Sequence, residues 1–179
     1  QLLKSPNLGD GVDAGEIRGV PYVAYDYVSG KSLAAIMAQA EKRRRPVPLD
    51  HALLIAERVA QGLLVAGDVR HGEERVLHGF VVPHLVLLSS EGEIRVLGTE
   101  AGPGLREAAS GPAVHQAFAR YLSPEALAGE PVGKSDDVYS LGVLLYEMIT
   151  NRHLPPPAAT GYGPIVEQAV VASEETPLS

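Results

Sequence analysis

Three sets of residues have types and spacings that invite a chemical reading. The histidines at 71, 78 and 84 follow one another at intervals of seven and six. Zinc sites draw on His-x3-His pairs, cysteines or adjacent carboxylates, and no such partner completes a set, so each histidine reads as structural or surface. "AGEPVGKS" (residues 128–135) fits a permissive nucleotide-loop pattern of a small residue, four spacers and Gly-Lys-Ser. A true phosphate loop follows a buried strand that aims its N–H groups at the phosphates, whereas the preceding "YLSPEAL" carries Pro124. A Ser-His-Asp hydrolase lacks its nucleophile, because no Gly-x-Ser-x-Gly elbow occurs. What remains is "HGFVVPHLVLL" (78–88), a histidine and a proline set among apolar residues.

Stepping outward from these residues, the chain must supply elements to hold them. Its 179 residues are 45% hydrophobic, enough for one domain with a real core. "VDAGEIRGVPYVAYDYV" (12–28) places β-branched and aromatic residues on both sides of a Gly-containing turn and predicts a hairpin. "SGKSLAAIMAQAEKRR" predicts a helix opened by Ser29 or Ser32. A second helix is expected from Asp50 as N-cap, with Leu53, Leu54, Ala60, Leu63 and Leu64 at helical spacing, stopping at Gly67. "LVLLSSEGEIRVLG" predicts another short hairpin, and residues 98–120, rich in Gly, Ala and Pro, a long loop. "DDVYSLGVLLYEMIT" is apolar around most of its circumference and predicts a buried helix wrapped on all sides. A proline-rich loop, one short helix and a tail are expected after it.

Charge excludes some partners. Fifteen Lys+Arg against 22 Asp+Glu leave a net charge of −7, which argues against nucleic acid and against an anionic membrane surface. The one basic run, Lys42 to Arg45, lies between Glu41 and Pro46 and reads as a solvated helix end and loop. There is no cysteine, hence no disulfide framework. No segment reaches the ~18 apolar residues that span a bilayer, and the first residues lack the order of a signal peptide. A cytoplasmic location is expected for this segment, although a longer parent chain could carry an anchor.

Read in order, "PYVAYDYVSGKSL", "HGFVVPHLVLL", "GEIRVLGTEAG", "YLSPEAL" and "DDVYSLGVLLYEMIT" resemble the hinge, catalytic loop, metal-binding triplet, end of the activation segment and central helix of a eukaryotic-like protein kinase, in its bacterial Ser/Thr branch. The resemblance implies a mainly α fold (α+β overall): a kinase-like large lobe around a buried central helix, with two short β-hairpins and a remnant of the small lobe. Residues 1–28 would be the end of the small lobe and the hinge, with "LKSPNL" starting its fourth strand. Residues 29–179 would be the large lobe, stopping before its last two helices. The phosphate-covering loop and the phosphate-pairing Lys of the family would lie before Gln1.

Carrying the family's roles over separates shape from chemistry. The catalytic-loop His falls on His78 and its Pro on Pro83, but the Asp that takes the substrate's proton falls on Phe80. The phosphate-steadying Lys falls on Val82, and the magnesium-holding Asn on Leu85. The triplet's Asp, the main magnesium ligand, falls on Gly98, followed by Thr99 in place of an aromatic residue and by Glu100, the one nearby carboxylate. Magnesium demands oxygen ligands in near-octahedral order, and phosphoryl transfer depends on it; a missing general base alone costs on the order of 10²–10⁴ in rate.

The scaffold positions match. Asp137 falls on the Asp that ties the catalytic loop to the core, with Asp136 beside it as an N-terminal cap or solvated charge. Leu144, Met148 and Leu87 fall on apolar positions supporting the adenine side, Glu125 on a glutamate that pairs with an Arg of the last helices, and His78 on the regulatory stack. Tyr25 falls at the gatekeeper and Asp26 to Val28 at the hinge, where backbone groups bind adenine. The resemblance implies a pseudokinase, a regulatory or scaffolding module acting through a protein partner such as an active kinase or the rest of its own chain. No cofactor is expected, with ATP lacking magnesium as the only nucleotide mode left open. The alternative is a Ser/Thr kinase that transfers the ATP γ-phosphoryl with displaced metal and base residues, Glu100 among them.

Overall fold

Two long antiparallel-packed helices and a small hairpin hold the loop at 78–85 in place. The computed structural model describes residues 5–18, 20–71, 74–99, 117–131 and 133–157. Its elements are the strands β1 (Gly11–Ile17), β2 (Val20–Tyr25) and β3 (Gly30–Ser32), the helices α1 (Leu33–Arg43) and α2 (Leu49–Asp68), and the two-residue strands β4 (Arg70–His71) and β5 (Glu74–Arg75). A 3-10 turn (Pro83–Leu85), β6 (Val86–Ser89) and β7 (Ile94–Val96) follow, then a second 3-10 turn (Ala119–Tyr121), α3 (Pro124–Leu127) and α4 (Lys134–Thr150). The result is helix-rich with short antiparallel strands, as the resemblance implied.

Both predicted hairpins form. β1 pairs with β2 from Gly11↔Tyr25 to Ile17↔Val20, with one irregularity between Gly11 and Asp13. β6 pairs with β7 and, on its other side, with β3, so the second hairpin becomes a three-stranded sheet. Of the stretch "LKSPNL", residues 3 and 4 lie outside the described residues; β1 begins at Gly11, and ahead of it Asn7 and Gly9 bond to β7. The Asn7 carbonyl accepts from Val96 N (2.9 Å), Gly9 N donates to the Val96 carbonyl (2.8 Å), and the Asn7 amide reaches the Ile94 carbonyl (3.0 Å). α2 passes close by through Gly62, where a Cβ would come within 2.7 Å of the Asn7 carbonyl oxygen.

Helix α1 opens at Ser32, whose hydroxyl accepts from Ala35 N (3.3 Å), the ordinary N-cap arrangement. It closes at Arg44, in the left-handed region at φ 51°, and the chain then runs to Val47, whose N–H donates to the Met148 carbonyl near the end of α4 (3.0 Å). α2 departs from expectation at its start. It begins at Leu49 after Pro48, which places Asp50 in the first turn, where the helix dipole favours a carboxylate. The core takes Ala52, Ile55, Val59 and Ala66, while Leu53, Leu54 and Leu64 stand 50%, 42% and 61% exposed.

α4 buries Asp137, Ser140, Val143, Leu144, Glu147 and Met148. It is not wrapped on all sides by the described residues, since Val138 is 69% exposed. Its start explains the nucleotide-loop pattern: Gly133 is the N-cap, preceded by α3 and not by a strand, and its N–H donates to Asp136 (2.6 Å). Asp136 is a cap, and a buried one, because its other oxygen accepts from the Ser123 hydroxyl that itself caps α3. The long loop expected at 98–120 falls mostly, and the terminal short helix wholly, outside the described residues.

Candidate functional site

The loop at 78–85 is anchored by one carboxylate. Asp137 projects from the first turn of α4 and accepts from the backbone N–H of Gly79 (2.7 Å) and of His78 (3.2 Å). Burial pushes its carboxyl above the usual range, against the pull of those two amides. Such an arrangement satisfies two buried donors that no regular ladder reaches.

His78 is buried and held by both ring nitrogens. Nε2 lies 2.7 Å from the Leu97 carbonyl, which can only accept, so Nε2 carries the proton; Nδ1 then accepts from Phe80 N (3.2 Å). The ring therefore bridges the loop to the segment after β7. Leu97 returns the link by donating its N–H to the Leu85 carbonyl (2.8 Å).

Apolar residues fill the positions between these anchors. Phe80 is only 6% exposed, and its ring meets Phe118 edge-on at 5.8 Å and 72°. His84 packs on the same Phe118 from another side, 5.3 Å away at 87°. Val82 is buried and Leu85 partly so, both against the core that includes Leu144 and Met148. The Phe80–Phe118 contact joins residues far apart in sequence, and nothing in the periodicity of either segment signals it.

Across from the loop, Gly98 sits at φ 90°, a backbone region that side chains adopt only under strain. Its N–H donates to the hydroxyl of Tyr25 at the end of β2 (2.8 Å). The Tyr25 ring is wedged nearby, since a Cβ on Gly9 would come within 3.0 Å of it. Thr99 is buried, and its hydroxyl has no hydrogen-bond partner among the described residues. Glu100 lies outside the described residues.

The remaining candidates are spread out. Asp26 is exposed, its N–H spent on the Asp10 carbonyl (3.1 Å), and Val28 is partly buried. Leu144 and Met148 share the core, whereas Leu87 stands on β6, in register with Ser32 and Arg95, and only partly buried. Glu125 lies in the first turn of α3.

A second polar cluster escaped the sequence reading. Glu147, buried on α4, accepts from the Tyr121 hydroxyl (2.6 Å), from Leu154 N (3.1 Å) and at longer range from Arg120 (3.5 Å), with the His153 ring 3.2 Å away. Burial, followed by the bond to Glu147, drives the Tyr121 hydroxyl far above its ordinary value. A lone Glu inside "LLYEMIT" was the available signal, because a buried carboxylate demands partners.

The magnesium that the kinase resemblance implies does not fit the positions described. Phe80, Val82, Leu85 and Gly98 bring no side-chain oxygen, and the Gly98 amide is turned to Tyr25. Among the described residues, no three His, Asp or Glu side chains gather as a metal site.

Comparison with known proteins gives a single answer. The family model described as protein kinase domain matches residues 1–171. The chain is similar to the probable serine/threonine-protein kinase PknB of Bifidobacterium longum, 30% identical over 80% of this chain and 20% of that protein. It is 27% identical to serine/threonine-protein kinase PrkC of Bacillus subtilis, over 84% of this chain and 22% of that one. The chain thus spans about a fifth of the length of these curated relatives. Among solved structures, a Mycobacterium tuberculosis PknI kinase domain superposes with a TM-score of 0.65 at 26% identity, covering 90% of this chain and 59% of that one. With the hinge, anchored loop and central helix in the order of that fold, the chain belongs to the protein kinase domain family.

Proposed function

We propose that this kinase-like domain does not transfer phosphate and instead works as a regulatory or scaffolding module, a pseudokinase that binds a protein partner. The observation that carries the reading is Phe80. At the position where the family keeps its general base stands an apolar ring that is buried and capped by Phe118. A substrate hydroxyl arriving there would meet hydrocarbon in place of a proton acceptor. Burying such a ring contributes ~1.5–3 kcal/mol of apolar transfer, so the exchange favours shape over reaction.

The nucleotide side supports the same reading. Tyr25 ties the hinge strand to Gly98, and neither Gly98 nor the loop at 80–85 offers a side-chain oxygen for the metal that phosphoryl transfer depends on. Adenine contacts through the hinge backbone at 26–28 are the only nucleotide mode these residues favour, without magnesium. The partner is a protein, either an active kinase or another part of the same polypeptide, in the cytoplasm. No helix among the described residues is long and apolar enough to cross a membrane.

Thermal-shift titration of the full-length protein with ATP, with and without magnesium, tests this. A ligand at a hundred times its dissociation constant stabilises by ~2.7 kcal/mol, a readily visible shift. The expected result is no magnesium-dependent shift at millimolar ATP. A shift that requires magnesium would sink the reading and restore a kinase with displaced ligands.

A further inference from the structure

We propose that the groove bounded by α1, the start of α2 and the β6–β7 hairpin docks an acidic segment of a partner protein that carries paired apolar side chains. The inference rests on the interaction-module reading and names the chemistry of its partner. The groove encloses about 530 Å³, within the range of pockets that accept a ligand or a few side chains. Its floor is apolar, made by Ile36, Val47, Ile55, Leu88 and Ile94. Leu54, 42% exposed and left out of the core by the turn of α2, adds an open hydrocarbon surface at the edge.

The wall is cationic. Arg43 and Arg45 supply its charge, His51 lies beside them, and no carboxylate lines it. With the Gln39 amide turned so that its oxygen faces Arg43, one turn on in α1, Arg43 donates to it through Nε (3.1 Å) and a terminal nitrogen (3.0 Å). That partner is neutral and leaves the charge in place. Among the described residues neither Arg43 nor Arg45 forms an ion pair, while the acids nearby are engaged or on the outer edge. Asp50 sits 4.0 Å from His51, Glu93 pairs with Arg95 (3.0 Å), and Glu91 lies on the exposed turn. Uncompensated arginines beside exposed hydrocarbon, on a chain of net charge −7, select locally for carboxylates with apolar neighbours.

The wall is also pre-set. Arg44 closes α1 in the left-handed conformation, Arg45 N donates to the Ala40 carbonyl (3.0 Å), and Val47 N is fastened to α4. Little backbone order remains to be lost when a partner arrives.

The test is selection from a random dodecapeptide phage library on the full-length protein, followed by affinity measurement of the recovered sequences. Recovered peptides should be rich in Asp and Glu with two or more Leu, Ile, Val or Phe, and should bind more weakly as salt rises. Arg43→Glu with Arg45→Glu should cost about tenfold or more in affinity, and Leu54→Asn a smaller factor. If the charge reversals disturb folding, Arg43→Gln with Arg45→Gln gives the same comparison at roughly half the effect. Neutral or basic peptides, binding that ignores these substitutions, or no recovered sequence at all would overturn the proposal. The ATP titration stands apart as a readout. Peptide capture together with a magnesium-dependent shift would keep the groove and remove the inactive reading, and the converse result would do the opposite.

Discussion

The loop at 78–85 and its seat on α4 were built under opposite demands. In the loop, Phe80, Val82 and Leu85 have no polar side-chain atom among them, and they pack on or in the core. In the seat, Asp136, Asp137, Ser140 and Glu147 are all polar and all buried, against the general tendency of such residues to stay in water. The difference lies in what each group touches. The seat's oxygens satisfy protein donors: the amides of Gly79 and His78, the hydroxyls of Ser123 and Tyr121, the N–H of Leu154. Removing any of them would strand a buried partner. In the loop, Phe80, Val82 and Leu85 carry no side-chain polar atom, so no buried partner depends on them. Polar side chains stand in this core where buried groups need partners.

Substitutions on each side can break or sharpen that contrast. The largest effect is expected at Asp137→Ala, which leaves two buried amides unanswered and should cost about 4 kcal/mol in denaturant unfolding. Asp137→Asn keeps one acceptor and should cost roughly half as much. Because burial raises the folded carboxyl, the unfolded chain releases this proton first. The residue's contribution is therefore fully present below the ordinary value near ~4 and declines as pH rises through the folded value, a slope that Asp137→Asn should flatten.

Next comes Phe80→Ala, expected to lose about 3 kcal/mol by opening a cavity beside Phe118. Phe80→Asp returns the family's base to its place and should still give no phosphate incorporation in a radiolabelled-ATP assay; activity there would erase the contrast. Tyr121→Phe should cost about 2 kcal/mol by taking the donor from buried Glu147. The raised Tyr121 hydroxyl makes a contribution that is complete below pH ~10 and lost as pH climbs above it, so the phenylalanine variant should lose less stability in alkali than the parent. Smallest is Tyr25→Phe, about 1 kcal/mol in unfolding, for the hydroxyl shared with Gly98 N.

Local signals were legible and distant ones were not. Ser32 announces its helix because the cap and the N–H it accepts from lie three residues apart. Both hairpins follow from alternation and turn residues within a short window. Leucines occupy several sides of α2, so period alone does not choose its buried face. Its buried side carries Ala52 and Gly62, and Gly62 lets the Asn7 backbone come close. For the site, the order of motifs placed His78 and Asp137 in the same neighbourhood. Phe80 on Phe118, Tyr25 on Gly98 and Tyr121 on Glu147 each join residues 26 or more apart in sequence, where no local pattern operates.

The bond from Val47 N to the Met148 carbonyl has a topological meaning. It ties the turn after α1 to the last turn of α4, one residue beyond Glu147. Val47 and Met148 also share the buried core, so a partner held at Arg43 or Arg45 would sit beside a segment joined to the central helix without passing along α2. The basic turn and the Glu147 cluster are thus neighbours through adjacent residues of one helix, although α2 separates them in sequence.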